Sequence, residues 1–186
     1  MARKSLPGPY GGIVFRSHLE ARWAIFFDRL HLKWEYEPQG FTVDGVAYLP
    51  DFAVFAASGL LWAEIKPDWR SDPDGIARWR KFAGQRPQPS RAALFCGLPT
   101  LHVRTVLIGG DDTQEDPAKG GWEDDTLQWR PCPAGHHFDL ANPGTFGAKF
   151  AEDGCPDHFG GDGEEAIAAA TQAALSYRFG KTETAA

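Results

Sequence analysis

An apolar stripe at helical spacing is the first pattern along the chain, over residues 16–31. Four large apolar residues share one face of this segment: Leu19, Trp23, Phe26 and Leu30. Ser17, followed three positions later by Glu20, has the form of a capping box, in which two residues satisfy free N–H groups at a helix start. The pattern predicts an amphipathic helix whose stripe packs against a core.

Short extended runs follow this helix and predict strands at residues 34–37, 40–43, 46–49, 52–55 and 60–66. The Asp44-Gly45 pair between two of these runs indicates a tight hairpin, because both turn positions need positive φ. A second turn is predicted at Ala57-Ser58-Gly59. The strands on either side of that turn are therefore expected to lie side by side.

The remaining elements are less regularly patterned. Asp72 and Pro73 predict the start of a second helix that runs to about Ala83, with Gly84 as its stop. Strands are predicted at residues 91–96 and 103–108, an acidic loop at 109–121, and an Ala-rich helix at 164–179. Residues 122–160 hold many Gly, Pro, Cys and His and show little periodicity.

This order of elements predicts an α/β fold with a mixed sheet flanked by helices, in the order α-β-β-β-α-β. Residues 1–110 are expected to form this core. Residues 111–186 are expected to form an acidic, irregular extension that ends in the final helix.

Composition limits the class of protein. With 42% hydrophobic and 13% aromatic residues among 186, the chain is typical of a globular protein. No apolar run approaches the ~18–20 residues that cross a bilayer, and the basic start lacks the apolar stretch of a secretory signal. Three cysteines are too few and too sparse for a disulfide framework. We therefore expect a cytoplasmic protein with no membrane partner.

The net charge of −6 is unevenly distributed. Residues 1–95 hold 13 Lys and Arg against 10 Asp and Glu, whereas residues 96–186 hold 6 against 15. A surface that binds a polyanion is therefore expected in the first half. Arg16, Arg78, Arg80 and Lys81 are candidates for contacts with a nucleic-acid backbone. The alternative for each of them is a solvated helix face.

Three residues carry the candidate chemistry. Side chains alternate along a strand, so Glu64 and Lys66 point to the same face. The turn at residues 57–59 folds their strand back beside the strand that begins at Asp51. Two carboxylates and a main-chain carbonyl suit a hard divalent cation such as Mg²⁺ or Mn²⁺. Such a cation binds a phosphate oxygen and lowers the pKa of a bound water, and Lys66 beside it can orient that water.

A structural explanation of the same residues stays open at this point. Glu64 and Lys66 can form a solvent-facing pair on an edge strand, and Asp51 can be a turn former after Pro50. We favour a function because a charged pair on one face of an otherwise apolar strand is costly to bury.

These residues also resemble a known family. Pro50-Asp51 followed by Glu64-Ile65-Lys66 resembles the signature of the PD-(D/E)XK nucleases. The stretches at residues 15–24 and 36–41 are similar to the phage-encoded and transposon-end-nicking branches of that superfamily. The resemblance covers about residues 10–100 and implies a restriction-endonuclease-like core.

The resemblance also implies roles for individual residues. Asp51 and Glu64 would be metal ligands with the Ile65 carbonyl as a third, and Lys66 would be the catalytic lysine. Glu20 would be an additional acidic residue of the metal site, although its place in the capping box is a sufficient alternative. Pro67 stands where many relatives have Gly, which ends the strand and leaves the motif intact.

A second metal site is a candidate in the later half. Cys132 and His136 (or His137), followed by Cys155 and His158, have the layout of a small structural Zn²⁺ site. A segment rich in Gly and Pro would need such a staple to fold. The first pair does not have a standard Cys-x-x-Cys spacing, so unrelated Cys and His in a loop are the alternative.

The leading hypothesis is thus a Mg²⁺- or Mn²⁺-dependent nuclease that hydrolyses phosphodiester bonds of DNA, in preference to RNA. One alternative is a nucleic-acid or protein adaptor that keeps the nuclease fold without cleaving, within a phage or mobile-element complex. Another is a zinc-dependent interaction protein that acts through its acidic half. Cutting both strands of a duplex would favour a homodimer or a partner subunit.

Overall fold

The computed structural model describes residues 6–57, 59–68, 70–100, 102–108, 126–131, 138–141 and 163–179. Within these ranges the chain is a mixed α/β fold with three helices: α1 at His18–Arg29, α2 at Pro73–Gln85 and α3 at Gly163–Ser176. Its first strands are β1 at Gly8–Tyr10, β2 at Ile13–Phe15, β3 at Lys33–Tyr36, β4 at Phe41–Val43, β5 at Val46–Tyr48 and β6 at Phe52–Ala56. The later strands are β7 at Gly59–Lys66, β8 at Arg91–Cys96, β9 at His102–Ile108, β10 at Thr126–Pro131 and β11 at Phe138–Ala141.

Seven of these strands form one mixed sheet in the order β11-β10-β9-β8-β7-β6-β3. Strand β7 pairs with β8 in parallel, with α2 as the crossover between them, and the other neighbours in the sheet pair antiparallel. Strands β1 and β2 form a separate hairpin, as do β4 and β5. Strand β7 therefore lies inside the sheet, hydrogen-bonded on both sides.

The two faces of the sheet pack into two clusters. Successive residues of β7 alternate between them: Leu61, Ala63 and Ile65 belong to one cluster and Trp62 to the other. The first cluster contains the buried faces of α1 and α3. The second contains the buried face of α2 and the hairpin β4-β5. By the same alternation, Glu64 and Lys66 lie on the face that carries α2.

Helix α1 forms as its apolar stripe predicts. Ser17 is the N-cap, and its hydroxyl accepts from the N–H of Glu20 at 3.0 Å. The ring of Trp23, fully buried, stacks on Phe95 of β8 with centroids 4.5 Å apart. Arg22 donates to the main-chain oxygen of Leu175 at 2.8 Å, which satisfies a carbonyl at the end of α3 and joins the two helices.

The hairpin β4-β5 packs on α2. Its turn residues Asp44 and Gly45 have φ of 49° and 77°, the left-handed conformation that the sequence predicts for them. The carboxylate of Asp44 pairs with Lys81 of α2 at 3.0 Å and accepts from Gln85 at 2.8 Å. The hairpin is thus fixed to the helix and forms one wall of the cleft described below.

Several elements differ from those that the sequence predicts. Helix α2 continues through Gly84 to Gln85, so the predicted stop at Gly84 is wrong. The buried guanidinium of Arg86 donates to the main-chain oxygens of Ala83 at 2.5 Å and Ser90 at 2.7 Å. The bond to Ala83 satisfies a carbonyl in the last turn of α2.

Strands β1, β2, β10 and β11 are not predicted by the sequence pattern. The expectation of an irregular segment over residues 122–160 is wrong at residues 126–131 and 138–141, because β10 and β11 extend the main sheet there. Their periodicity is hidden among Gly and Pro, and pairing with β9 supplies the order that local propensity does not. None of the helices in the described ranges is long and apolar enough to cross a membrane.

Candidate active site

A cleft of ≈ 350 Å³ lies where the start of α1, the hairpin β4-β5, the end of β7 and the start of α2 meet. The residues that the sequence selects for a metal-dependent active site all line this cleft: Glu20, Asp51, Glu64, Ile65 and Lys66. Asp51, Glu64, Ile65 and Lys66 converge because β7 pairs antiparallel with β6, and the start of α1 adds Glu20. Phe52 faces Ala63 in that pairing, which places Asp51 beside Glu64.

Strand β7 presents Glu64 and Lys66 to the cleft. Glu64 is 6% exposed on a strand paired on both sides, so the alternative of a solvent-facing pair on an edge strand is wrong. The ammonium of Lys66 lies 2.9 Å from Oε1 of Glu64, and the hydroxyl of Tyr48 donates to Oε2 at 2.7 Å. Both oxygens of Glu64 are thus held by side chains of the cleft.

Asp51 is held at both oxygens as well, and it is 3% exposed. Its Oδ2 accepts from the main-chain N–H of Ile65 at 2.7 Å, which ties the carboxylate to β7. Its Oδ1 accepts from Nη2 of Arg16 at 2.5 Å. The same guanidinium forms an ion pair with Glu37 through Nε at 2.7 Å. Arg16 is therefore a counterion of both Asp51 and Glu37 at the edge of the cleft.

The electrostatics of the cleft oppose the charged form of Asp51. Burial, followed by the negative charges of Glu64 and Glu20, raises the pKa of Asp51 well above its ordinary value. The hydrogen bond from the Ile65 N–H and the charge of Arg16 lower this pKa, but their effect is smaller. Burial lowers the pKa of Lys66, but the charge of Glu64 and the hydrogen bonds to Glu64 and Asp72 outweigh it, so the pKa is raised overall. The cleft therefore holds a protonated lysine beside crowded carboxylates.

Glu20 takes part in the cap of α1 and also lies in the lining of the cleft. Its Oε1 accepts from the hydroxyl of Ser17 at 2.7 Å, and its Oε2 accepts from the hydroxyl of Tyr36 at 2.6 Å. Oε2 also accepts from the N–H of Arg16 at 3.2 Å, one residue before the N-cap. Glu20 thus caps the start of α1 and lines the cleft at the same time. Burial, and then the hydrogen bond to Glu20, raises the pKa of Tyr36.

The donor chemistry of the cleft suits a hard divalent cation, because its acidic groups are crowded, buried oxygen donors. As they stand, however, no three Cys, His, Asp or Glu side chains in the described ranges form a group that could hold a metal ion. The carboxylate oxygens that a cation would need are engaged by four side chains: Arg16, Lys66, Tyr36 and Tyr48. A cation at Asp51 would have to share or replace the contact with Arg16.

The four candidate phosphate contacts separate into two groups. Arg16 and Arg78 line the cleft. Lys81 is exposed and pairs with Asp44 at the tip of the hairpin, and Arg80 is half-buried and does not line the cleft. The structure therefore brings two of the four beside the acidic residues.

Four residues that hold the site together are not among the predicted site residues: Tyr36, Glu37, Tyr48 and Asp72. The sequence predicts Asp72 only as a helix cap, yet its Oδ2 also lies 3.2 Å from the ammonium of Lys66. Tyr48 meets Glu64 only because the hairpin folds over the sheet. No spacing rule in the sequence indicates either contact.

The candidate zinc ligands Cys132, His136, Cys155 and His158 lie outside the described residues. Comparisons with protein-family models, characterised proteins and solved structures gave no significant match. The arrangement of this chain's own side chains is thus the basis for a functional assignment.

Proposed function

We propose that this protein is a Mg²⁺- or Mn²⁺-dependent nuclease of the PD-(D/E)XK type that hydrolyses phosphodiester bonds of DNA. The observation that carries the proposal is the convergence of Asp51, Glu64 and Lys66 in one cleft, with Asp51 bonded to the Ile65 N–H between the other two. A mixed sheet flanked by helices is compatible with a restriction-endonuclease-like core, which is part of the same proposal.

Asp51 and Glu64 would hold the cation, with the Ile65 carbonyl and Glu20 as further ligands. When bound there, the cation supplies a Lewis acid for a phosphate oxygen and lowers the pKa of a water. The buried position of the carboxylates favours this, because burial and crowding make the charged form of Asp51 unfavourable even with Arg16 beside it, and a cation would add positive charge.

Lys66 acts as a fixed cation rather than as a free base. Its pKa is raised, so its ammonium is protonated at neutral pH and can donate to the attacking water or to the phosphate. Its two carboxylate partners, Glu64 and Asp72, limit the directions that the flexible side chain can take. Arg16 and Arg78, at the edge of the same cleft, would contact neighbouring phosphates.

The proposal is tested by incubating linear, circular, single-stranded and branched DNA, and RNA, with the protein in Mg²⁺, Mn²⁺ or chelator. We expect divalent-dependent cutting of DNA, lowered by about 100-fold or more in Lys66→Ala. Lys33→Ala is the matched control, because Lys33 is exposed on β3 and contacts the Phe55 ring outside the cleft. If no substrate is cut while both variants still bind DNA as the wild type does, the protein is a non-cleaving adaptor.

Because Arg78 lines the cleft and Lys81 does not, replacing each of them with alanine should affect DNA binding differently. Arg78→Ala should weaken binding in chelator by roughly 3- to 10-fold and lower the slope of log K against log salt by about 0.9, since one phosphate contact is lost. Lys81→Ala should change both quantities much less, because Lys81 pairs with Asp44 away from the cleft. Fluorescence anisotropy over a salt series measures this. Equal losses in the two variants would place the DNA along the outer face of α2 instead of the cleft.

A further inference from the structure

Asp72 stands at the start of α2, and its carboxylate contacts two groups with different tasks. Oδ1 accepts from the N–H of Gly75 at 3.0 Å, which caps the helix. Oδ2 lies 3.2 Å from the ammonium of Lys66, at the end of β7. The main-chain bond and the lysine thus take different oxygens of one carboxylate, so each contact orients the other.

The contact with Asp72 gives Lys66 an anchor outside the proposed metal ligands. The lysine's other anchor, Glu64 at 2.9 Å, is one of those ligands. A side chain with four rotatable bonds and one partner can turn about that partner, whereas two partners fix the direction of the ammonium. If Glu64 coordinates a cation, Asp72 is still free to pair with Lys66, because it is not among the proposed metal ligands.

The Asp72 carboxylate occupies the space that a side chain at position 75 would fill. A Cβ at Gly75 would lie 2.0 Å from Oδ2 of Asp72, the oxygen that pairs with Lys66. Gly75 is buried and lines the cleft. Gly84, on the same helix, would meet nothing within 4 Å. A glycine weakens a helix relative to alanine, so the cap and the lysine contact, rather than helix stability, account for Gly75.

We propose that Asp72 is a positioning residue, which holds the Lys66 ammonium in the cleft and fixes it relative to the start of α2. This inference rests on the proposed nuclease function. Arg78, six residues after the cap on the same helix, lines the cleft as well. Asp72 therefore fixes the direction of the lysine relative to the helix that carries Arg78.

The test separates the positioning role from the capping role. Asp72→Ser keeps an N-cap hydroxyl but cannot reach Lys66, whereas Gly75→Ala displaces the whole carboxylate, from the lysine and from the cap. We expect both variants to lower the cleavage rate at saturating DNA by about tenfold or more, with the Kd for DNA within about twofold of wild type. Gly84→Ala, the same change on the same helix, should cleave as the wild type does. Melting temperatures of Asp72→Ser and wild type should agree within a few degrees.

A second measurement reports the chemical reactivity of the Lys66 amine directly. Labelling by an amine-reactive reagent, followed by peptide mass spectrometry, gives the reactivity of Lys66 relative to the exposed Lys33. Reactivity of Lys66 should rise several-fold in Asp72→Ser and Gly75→Ala and stay unchanged in Gly84→Ala. Wild-type cleavage rates in Asp72→Ser and Gly75→Ala, or unchanged Lys66 labelling, would overturn the inference while Lys66→Ala still tests the nuclease. A wild type that cuts nothing fails the proposed function, and the positioning role with it.

Discussion

Asp51→Asn is expected to abolish divalent-dependent cleavage, with a loss of about 1,000-fold or more, equivalent to about 4 kcal/mol of transition-state stabilisation. The amide keeps the size of the carboxylate and can still accept from the Ile65 N–H, which now bonds Oδ2. It removes the negative charge that a cation needs. Single-turnover cleavage of the preferred DNA in Mg²⁺ measures the loss, and a thermal shift on adding Mg²⁺ without DNA should disappear in the variant.

The same substitution should leave the fold as stable at neutral pH as the wild type, or more stable. The pKa of Asp51 is raised in the folded protein, so the stability that this group contributes is fully present below its unfolded pKa of about 3.9 and is lost as pH rises through the folded value. Asparagine stays neutral and avoids this loss. The advantage of Asp51→Asn in the free energy of unfolding should therefore shrink as pH is lowered and the wild-type carboxyl becomes protonated.

Arg16 does not reverse this expectation, because its guanidinium is over half exposed and keeps its ion pair with Glu37. Asp44→Asn is the matched control: Asp44 is an exposed carboxylate whose partner, Lys81, lies outside the cleft. Its cleavage rate should stay within about twofold of wild type. Near-normal cleavage by Asp51→Asn, or a fold that it destabilises at neutral pH and stabilises in acid, would contradict the assignment of Asp51.

The sequence predicts the helices and the acidic motif because both depend on local rules. Alternation along a strand puts Glu64 and Lys66 on one face, and the short connection between the two runs predicts that β7 returns beside Asp51, as its pairing with β6 confirms. Ser17 and Asp72 are recognisable as helix caps because a cap bonds to N–H groups two or three positions away. Contacts within a few residues leave a spacing that can be recognised.

The partners of these residues depend on tertiary packing, which has no such spacing. Tyr48 meets Glu64 because the hairpin β4-β5 packs against Phe82 of α2, with the Tyr48 and Phe82 rings 4.7 Å apart. Asp72 meets Lys66 because α2 crosses back over the sheet between the parallel strands β7 and β8. Strand β10 is not predicted from the sequence for the same reason, because its order depends on tertiary pairing with β9. The sequence thus predicts the acidic residues of the cleft but not the side chains that orient them.

Phe52→Ala is expected to destabilise the protein by about 3–5 kcal/mol, because a fully buried ring is replaced by a cavity. The ring of Phe52 is 0% exposed and packs against four other aromatic rings: Phe15, Phe27, Trp34 and Tyr36. Urea unfolding followed by tryptophan fluorescence measures the loss. Since Phe52 follows Asp51 directly and supports Tyr36, which holds Glu20, the thermal shift on adding Mg²⁺ should also weaken in whatever fraction remains folded.

Phe55, on the same strand, provides the matched control. It is 38% exposed and contacts the ammonium of Lys33, so Phe55→Ala should cost under about 1 kcal/mol and leave cleavage unchanged. The contrast tests the register on which the site depends, because a slip of one residue in β6 would move Phe52 and Phe55 each to the opposite face of the sheet and turn Asp51 away from Glu64. Equal losses of stability in the two variants would mean that this register is wrong, and the proposed active site would lose its geometric basis.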